Sequence, residues 1–171
     1  LRDIAQGSYP HLLYFPGEKE AFGFIDRFVG NLTGGHLDPN VIRFLDENHL
    51  ADTNRVMRAG IFKESAAVLV EFGSTEDEGH FVQYMSRNGS IEEAPCYVAS
   101  YLWNERLFGM KTKRLGPSIL ASEVIIPIRS AAAFIEKAKK MGGHLGVEVG
   151  IDCYIIDARR ALSMSTFLCD S

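Results

Sequence analysis

A tryptophan and an arginine three residues apart, Trp103 and Arg106, have the residue types and spacing best suited to ligand binding in this sequence. On a helix they would share one face with Met110. A guanidinium on such a face either extends from the edge of the core into solvent or points into a cavity. In a cavity, it could bind a carboxylate through two parallel hydrogen bonds. Arg106 and Trp103 are therefore candidate substrate-binding residues, and the residues alone leave the solvent-exposed alternative open.

Other patterns that could support catalysis are absent or weak. The sequence contains none of the glycine-rich phosphate loops and neither the HExxH nor the GxSxG pattern. A Gly-Gly-His-Leu-Gly run at 142–146 follows a predicted helix rather than a strand, so it predicts a helix C-cap. The five histidines are far apart and show no spacing typical of metal ligands. We therefore predict no catalytic residue and no metal ligand, and the cofactor-binding residues stay unknown.

The composition is that of a globular protein that does not bind nucleic acid. Of its 171 residues, 46% are hydrophobic and 23% are charged, and the net charge is −4. Phosphate binding needs clustered Lys and Arg, whereas the basic residues here are dispersed. The three cysteines, Cys96, Cys153 and Cys169, do not form a disulfide framework, and the last two are expected to be buried small hydrophobes. These features predict a cytoplasmic protein without a transmembrane segment.

Strand-like and helical segments alternate along the chain and would have to position Arg106. The apolar residues of 18–32 recur at helical spacing, and this segment stops at two glycines. Ser74 and Thr75, each followed three residues later by an acidic residue, predict the start of another helix. Strands are predicted at 11–15, 39–46, 66–72, 90–93, 120–127, 145–149, 153–156 and 164–168, and helices at 18–32, 75–88, 98–110 and 130–141.

This alternation predicts an α+β fold of ferredoxin-like β-α-β repeats, with helices on one face of an antiparallel sheet. Residues 1–95 would form a first ferredoxin-like half, and residues 96–171 a connecting helix and a truncated second half. The chain does not begin with Met, and its last predicted strand is not followed by a covering element. We therefore expect the natural sequence to continue beyond Ser171. A Rossmann domain is the alternative, although no glycine-rich turn joins a strand to a helix.

The order of segments around Arg106 resembles the C-terminal cap domain of FAD-linked oxidases of the glycolate oxidase and D-lactate dehydrogenase type. The resemblance is carried by single residues and short stretches, which are Trp103, Arg106, Glu123, Pro127, the helix at 130–141 and the strands at 41–46 and 68–72.

The resemblance implies an upstream FAD-binding domain that this chain lacks, so the chain alone would be inactive. It also implies a small hydroxy acid substrate, similar to glycolate or D-lactate, whose carboxylate is held by Arg106 beside Trp103. Metal-using members of the family have a histidine-rich segment where this chain has residues 146–153 without histidine, so a metal is not expected. The electron acceptor and oligomeric state are not specified. A ferredoxin-like small-molecule-binding or regulatory module without redox activity is the second hypothesis.

Overall fold

The computed structural model describes residues 7–32, 37–89, 91–106, 109–116 and 118–169. In chain order, its helices and strands are β1 (Tyr9–Phe15), α1 (Glu18–Leu32), β2 (Val41–Leu45), α2 (Glu47–Met57), β3 (Ala66–Phe72), α3 (Thr75–Arg87), β4 (Glu92–Glu93), α4 (Cys96–Asn104), a 3₁₀ helix (Gly109–Leu115), β5 (Ser118–Pro127), α5 (Ile128–His144), β6 (Val149–Ile155) and β7 (Arg160–Cys169).

The strands form one antiparallel sheet in the order β4-β1-β3-β2-β6-β7-β5. The strands β1 to β4 have the ferredoxin-like order β4-β1-β3-β2. The strands β5, β6 and β7 correspond to β1, β2 and β3, and their order runs in the opposite direction across the sheet. The strands β2 and β6 therefore meet at the centre of the sheet, where Phe44 lies opposite Cys153. The predicted α+β fold class is confirmed.

One face of the sheet, here called the front face, packs against α1, α3 and α5. Its core is aromatic and aliphatic, with Phe24, Phe28 and Phe81 from the helices and Phe44 and Val68 from the strands. The helix α1 has its buried residues at helical spacing, as its sequence predicts. Helices of the two halves thus share one continuous core.

The opposite, back face carries α2 and α4, which pack on alternate strand residues such as Leu12 and Leu69, so the prediction of helices on one face only was wrong. The helix α4 occupies much of the predicted 98–110 helix, but α2 was not among the predicted elements. Its N-terminus is capped by Asp46, whose carboxylate accepts a hydrogen bond from the backbone N–H of His49 at 2.8 Å. The buried side of α2 is largely polar, so it lacks the apolar periodicity by which helices are recognised.

Several predicted boundaries differ from the structure, among them those of α5, β6 and α4. The helix α5 begins at Ile128 directly after Pro127, two residues before the predicted start at residue 130. The strand β6 runs without interruption through the gap predicted between 149 and 153. The helix α4 ends at Asn104, before Arg106. The glycine run at 142–146 does terminate α5, and Gly146 has a φ of 68°.

Candidate functional site

Arg106 and Trp103 are in direct contact, but not as neighbours on a helix face. Because α4 ends at Asn104, Arg106 lies in the turn that follows it. Its Nη1 donates to the backbone carbonyl of Trp103 at 2.8 Å, and its Cζ lies 3.7 Å from the centroid of the Trp103 ring. This stacked arrangement orients the planar guanidinium. The predicted place of Met110 on the same face lies outside the described side chains.

Arg106 is partly buried and carries a charge that has no carboxylate partner among the described residues. It lies close enough to Tyr154 on β6 to affect the ionisation of that phenol. Burial raises the pKa of Tyr154, while the positive charges of Arg43 and Arg106 act in the opposite direction. Arg106 therefore presents a positive charge near Tyr154 on the back face.

Next to Tyr154, a buried ion pair joins the central strands β2 and β6. Arg43 on β2 donates through Nε to Oδ2 of Asp152 on β6 at 3.1 Å, and its Nη2 donates to the same oxygen. Both side chains are almost fully buried. The guanidinium carbon of Arg43 also lies 4.9 Å from the centroid of the Tyr154 ring. The ion pair and this cation–π contact together support the position of Tyr154.

A small cavity of about 40 Å³ lies beside Arg43, between α2, α4 and the 3₁₀ helix. His49 of α2 lines it, and burial lowers the pKa of this imidazole to about 4. His49 is therefore neutral at physiological pH. The helix α2 reaches this position because β6 has a glycine beneath it: a Cβ at Gly150 would lie 3.5 Å from the Cα of His49 and 3.1 Å from Oγ1 of Thr166.

Beyond Tyr154, the back face of β6, β7 and β5 forms an open wall. The register aligns Tyr154, Leu162 and Ile125 in one cross-strand row. A neighbouring row contains Met164 and Glu123. Ile125 is 56% exposed and Glu123 is also exposed, so this end of the wall is accessible in the described part of the chain. The wall is mainly apolar, and the Arg106 charge lies near its Tyr154.

Other residues named from the sequence include Glu123, Pro127, Cys153 and Cys169. Glu123 and Pro127 lie on β5, where Pro127 immediately precedes α5, and no described hydrogen bond or ion pair joins either residue to Arg106. Cys153 is buried as predicted, and burial raises the pKa of its thiol to about 12. The side chain of Cys169 lies outside the described part.

Sequence reasoning missed Arg43, Asp152 and Tyr154 as a group. A signal was available in two of them, since Arg43 and Asp152 each interrupt an otherwise apolar strand. A charge in a buried strand requires a partner, and pairing these two residues would have placed β2 beside β6.

The described residues contain no group of three or more His, Cys, Asp or Glu side chains arranged to ligate a metal ion. No described helix combines the length and apolar character needed to cross a membrane.

Comparisons with known proteins identify the fold. No family model and no curated protein matches the sequence. Solved structures match nearly the whole chain at 10–11% sequence identity. One is 4-ethylphenol oxidase from Gulosibacter chungangensis in an isoeugenol complex, with a TM-score of 0.71 over 98% of this chain and 40% of that chain. Two others are substrate-bound p-cresol methylhydroxylase, with a TM-score of 0.70 over 97% of this chain and 39% of that chain, and alkyldihydroxyacetonephosphate synthase, with a TM-score of 0.66 over 97% of this chain and 37% of that chain. The chain spans about two fifths of these proteins. Its fold is that of a domain found in FAD-linked oxidases.

Proposed function

We propose that this chain is the substrate-side cap domain of an FAD-dependent oxidoreductase whose flavin-binding domain precedes it in the same polypeptide. The fold likeness over 97–98% of the chain supports this proposal, as does its coverage of only 37–40% of each oxidase. The wall formed by Tyr154, Leu162 and Ile125 is apolar enough to lie against a flat aromatic ring. When bound, the flavin supplies the redox chemistry by accepting a hydride from the substrate.

The observation that carries the proposal is the oriented guanidinium of Arg106. It is stacked on Trp103, has no anionic partner among the described residues and lies near Tyr154 of the open wall. A carboxylate is the group that such a planar donor binds best, through two parallel hydrogen bonds. The first candidate substrate is therefore a small hydroxy acid similar to glycolate or D-lactate. Arg106 would fix its carboxylate and thereby orient its C–H bond.

A phenol is the second candidate substrate. The wall residues Leu162, Ile125 and Met164 suit an aromatic ring, and two of the matched oxidases have names that contain a phenol. Arg106 would then stabilise a phenolate rather than a carboxylate. Steady-state reduction of the bound flavin by a panel of both classes distinguishes the two candidates.

A divalent metal does not fit the residues of this chain. The segment that corresponds to the histidine-rich region of metal-using relatives, residues 146–153, contains two carboxylates, Glu148 and Asp152. Glu148 is exposed and paired with Arg55, whereas Asp152 is buried and already neutralised by Arg43. A cation placed there would have to displace the guanidinium, so we assign no step to a metal.

The experiment uses the natural full-length protein carrying Arg106→Lys or Arg106→Gln. Lysine keeps the charge but not the planar fork, so we expect both variants to raise KM for the substrate by about 10- to 100-fold, in line with about 1.5–3 kcal/mol for a hydrogen bond to a charged group. The matched control is Arg129→Lys, because the side chain of Arg129 is 86% exposed on α5. An unchanged KM in the Arg106 variants would return this residue to a structural role.

The cofactor assignment has a separate test. We expect the full-length protein to purify with the flavin absorption band, and that band to bleach on anaerobic addition of the substrate. A full-length protein that neither contains FAD nor can be reconstituted with it would instead support a binding or regulatory module.

A further inference from the structure

The two halves of the sheet are related by an approximate twofold axis between β2 and β6. In the first half, the chain runs through β1, α1, β2 and β3, and in the second it runs through β5, α5, β6 and β7. The equivalent helices α1 and α5 pack against each other on the front face. Each element of the second half therefore has a counterpart in the first, and the first half has three further elements: α2, which lies between β2 and β3, and α3 and β4, which follow β3.

In the first half, α3 fills the groove between α1 and the strands β1 and β3. Its Phe81 is fully buried, with ring centroids 5.6 Å from Phe28 of α1 and 5.1 Å from Phe72 of β3. Tyr84, three residues further along α3, lies 5.3 Å from Phe28. This pair of aromatic residues, spaced by one helical turn, completes the core of that half.

The corresponding place in the second half is an open apolar groove of about 450 Å³ between α5 and the strands β5 and β7. Large apolar side chains on its walls are exposed: Leu120 by 62%, Met141 by 57% and Leu145 by 76%. Its other apolar lining residues include Val124, Phe134 and Val147. An exposed apolar surface of this kind marks an interaction site.

The edge of the sheet next to this groove also differs between the halves. In the first half, β4 follows α3 and pairs antiparallel with the outer side of β1. In the second half, the equivalent β5 is the last strand of the sheet and runs for ten residues. A long edge strand with apolar residues on both faces is a ready template for another strand.

We propose that a helix followed by a strand, located after β7 in the natural polypeptide, occupies this groove and edge. The helix would take the place of α3 and insert two large apolar side chains at i and i+3 between α5 and β5. The strand would pair antiparallel with β5, as β4 does with β1. This proposal rests on the twofold relation and is independent of the proposed flavin chemistry.

The test compares the chain of residues 1–171 with the natural polypeptide, using Leu120→Lys and Met141→Glu. Both side chains are exposed in the structure, so neither substitution should change the Tm of the 171-residue chain by more than about one degree. In the natural polypeptide, the same substitutions should lower the Tm by several degrees because they bury a charge under the added helix. The matched control is Tyr97→Lys, because Tyr97 is 72% exposed on α4, away from the groove. It should be neutral in both proteins.

Amide hydrogen exchange gives an independent result. Alternate β5 amides that do not bond to β7 should exchange at least about tenfold more slowly in the natural polypeptide than in the 171-residue chain. Equal exchange rates, or equal effects of the substitutions in the two proteins, would overturn the proposal. An intact mass showing that the natural protein ends at Ser171 would also overturn it. So would a dimer of the 171-residue chain that Leu120→Lys dissociates, because a second copy would then occupy the groove.

Discussion

Removing the positive partner of the central ion pair should destabilise the fold strongly. In Arg43→Met, the carboxylate of Asp152 would keep its buried position between β2 and β6 but lose both hydrogen bonds from the guanidinium. Arg43 is 3% exposed and Asp152 is 1% exposed, so water does not readily replace the lost contacts. Breaking a buried pair by removing one partner typically costs about 3–5 kcal/mol. That is a large share of the roughly 5–15 kcal/mol by which domains are stable.

Urea denaturation followed by circular dichroism measures this loss, and two further variants identify its cause. The double variant Arg43→Met/Asp152→Asn removes the unpaired charge, so it should recover much of the free energy of unfolding lost by Arg43→Met. Arg160→Met is the matched surface control. Its ion pair with Asp157 is exposed, so we expect it to cost less than about 1 kcal/mol.

We expect a specific order of stabilities: the parent and Arg160→Met are similar, the double variant is intermediate, and Arg43→Met is the least stable. If the double variant were as unstable as Arg43→Met, the cost would come from lost packing of the arginine side chain rather than from an orphaned carboxylate. If Arg43→Met lost less than about 1 kcal/mol, the pair would not be buried as described.

Two further predictions concern packing and pH. In α5, Gly142→Ala should lower the free energy of unfolding by about 1–3 kcal/mol, because a Cβ there would lie 2.4 Å from Cγ2 of Val149. A Cβ at the neighbouring Gly143 would have no atom within 4 Å, so Gly143→Ala should raise the free energy of unfolding by up to about 1 kcal/mol in urea denaturation. A similar effect at both positions would contradict the close approach. Burial lowers the pKa of His49 to about 4, so the native state binds fewer protons than the unfolded state between about pH 4 and 6.5, and stability should rise with pH over that range. His49→Gln should remove that rise, which amounts to about 3 kcal/mol from the pKa difference. If the free energy of unfolding of the variant rose with pH as steeply as that of the parent, His49 would not be the source of the rise.

Local sequence signals accounted for most of the sheet and for the front-face helices. The limits of α1 and β3 coincide with those predicted from apolar spacing and flanking glycines. The N-terminus of α3 follows its capping signal, since the Ser74 hydroxyl accepts from the backbone N–H of Asp77. In these segments, local propensity and burial favour the same structure. The helix α2 is the exception, because the residues that it buries are mostly polar and their partners are distant in sequence.

The candidate site also has one part that follows from local sequence and one part that does not. The contact between Trp103 and Arg106 is local, so their spacing was sufficient to pair them, although the helix end between them changed the geometry. The buried pair of Arg43 and Asp152 is brought together by the register of β2 against β6, although the two residues are 109 positions apart in sequence. No local pattern specifies that register. Only the requirement that buried charges be paired links Arg43 to Asp152 before the fold is known.

The narrow contact between the central strands bears on the order of folding. The strands β2 and β6 are paired over three residues, whereas β5 and β7 are paired over ten residues, whose partners lie 33 to 51 positions apart in sequence. Closing the central contact requires bringing together segments more than a hundred residues apart, which has a high entropic cost before any contact forms. Each half can form most of its own ladder first, so the joining of β2 to β6 is expected late in folding. Substitutions at that contact should then act mainly by accelerating unfolding.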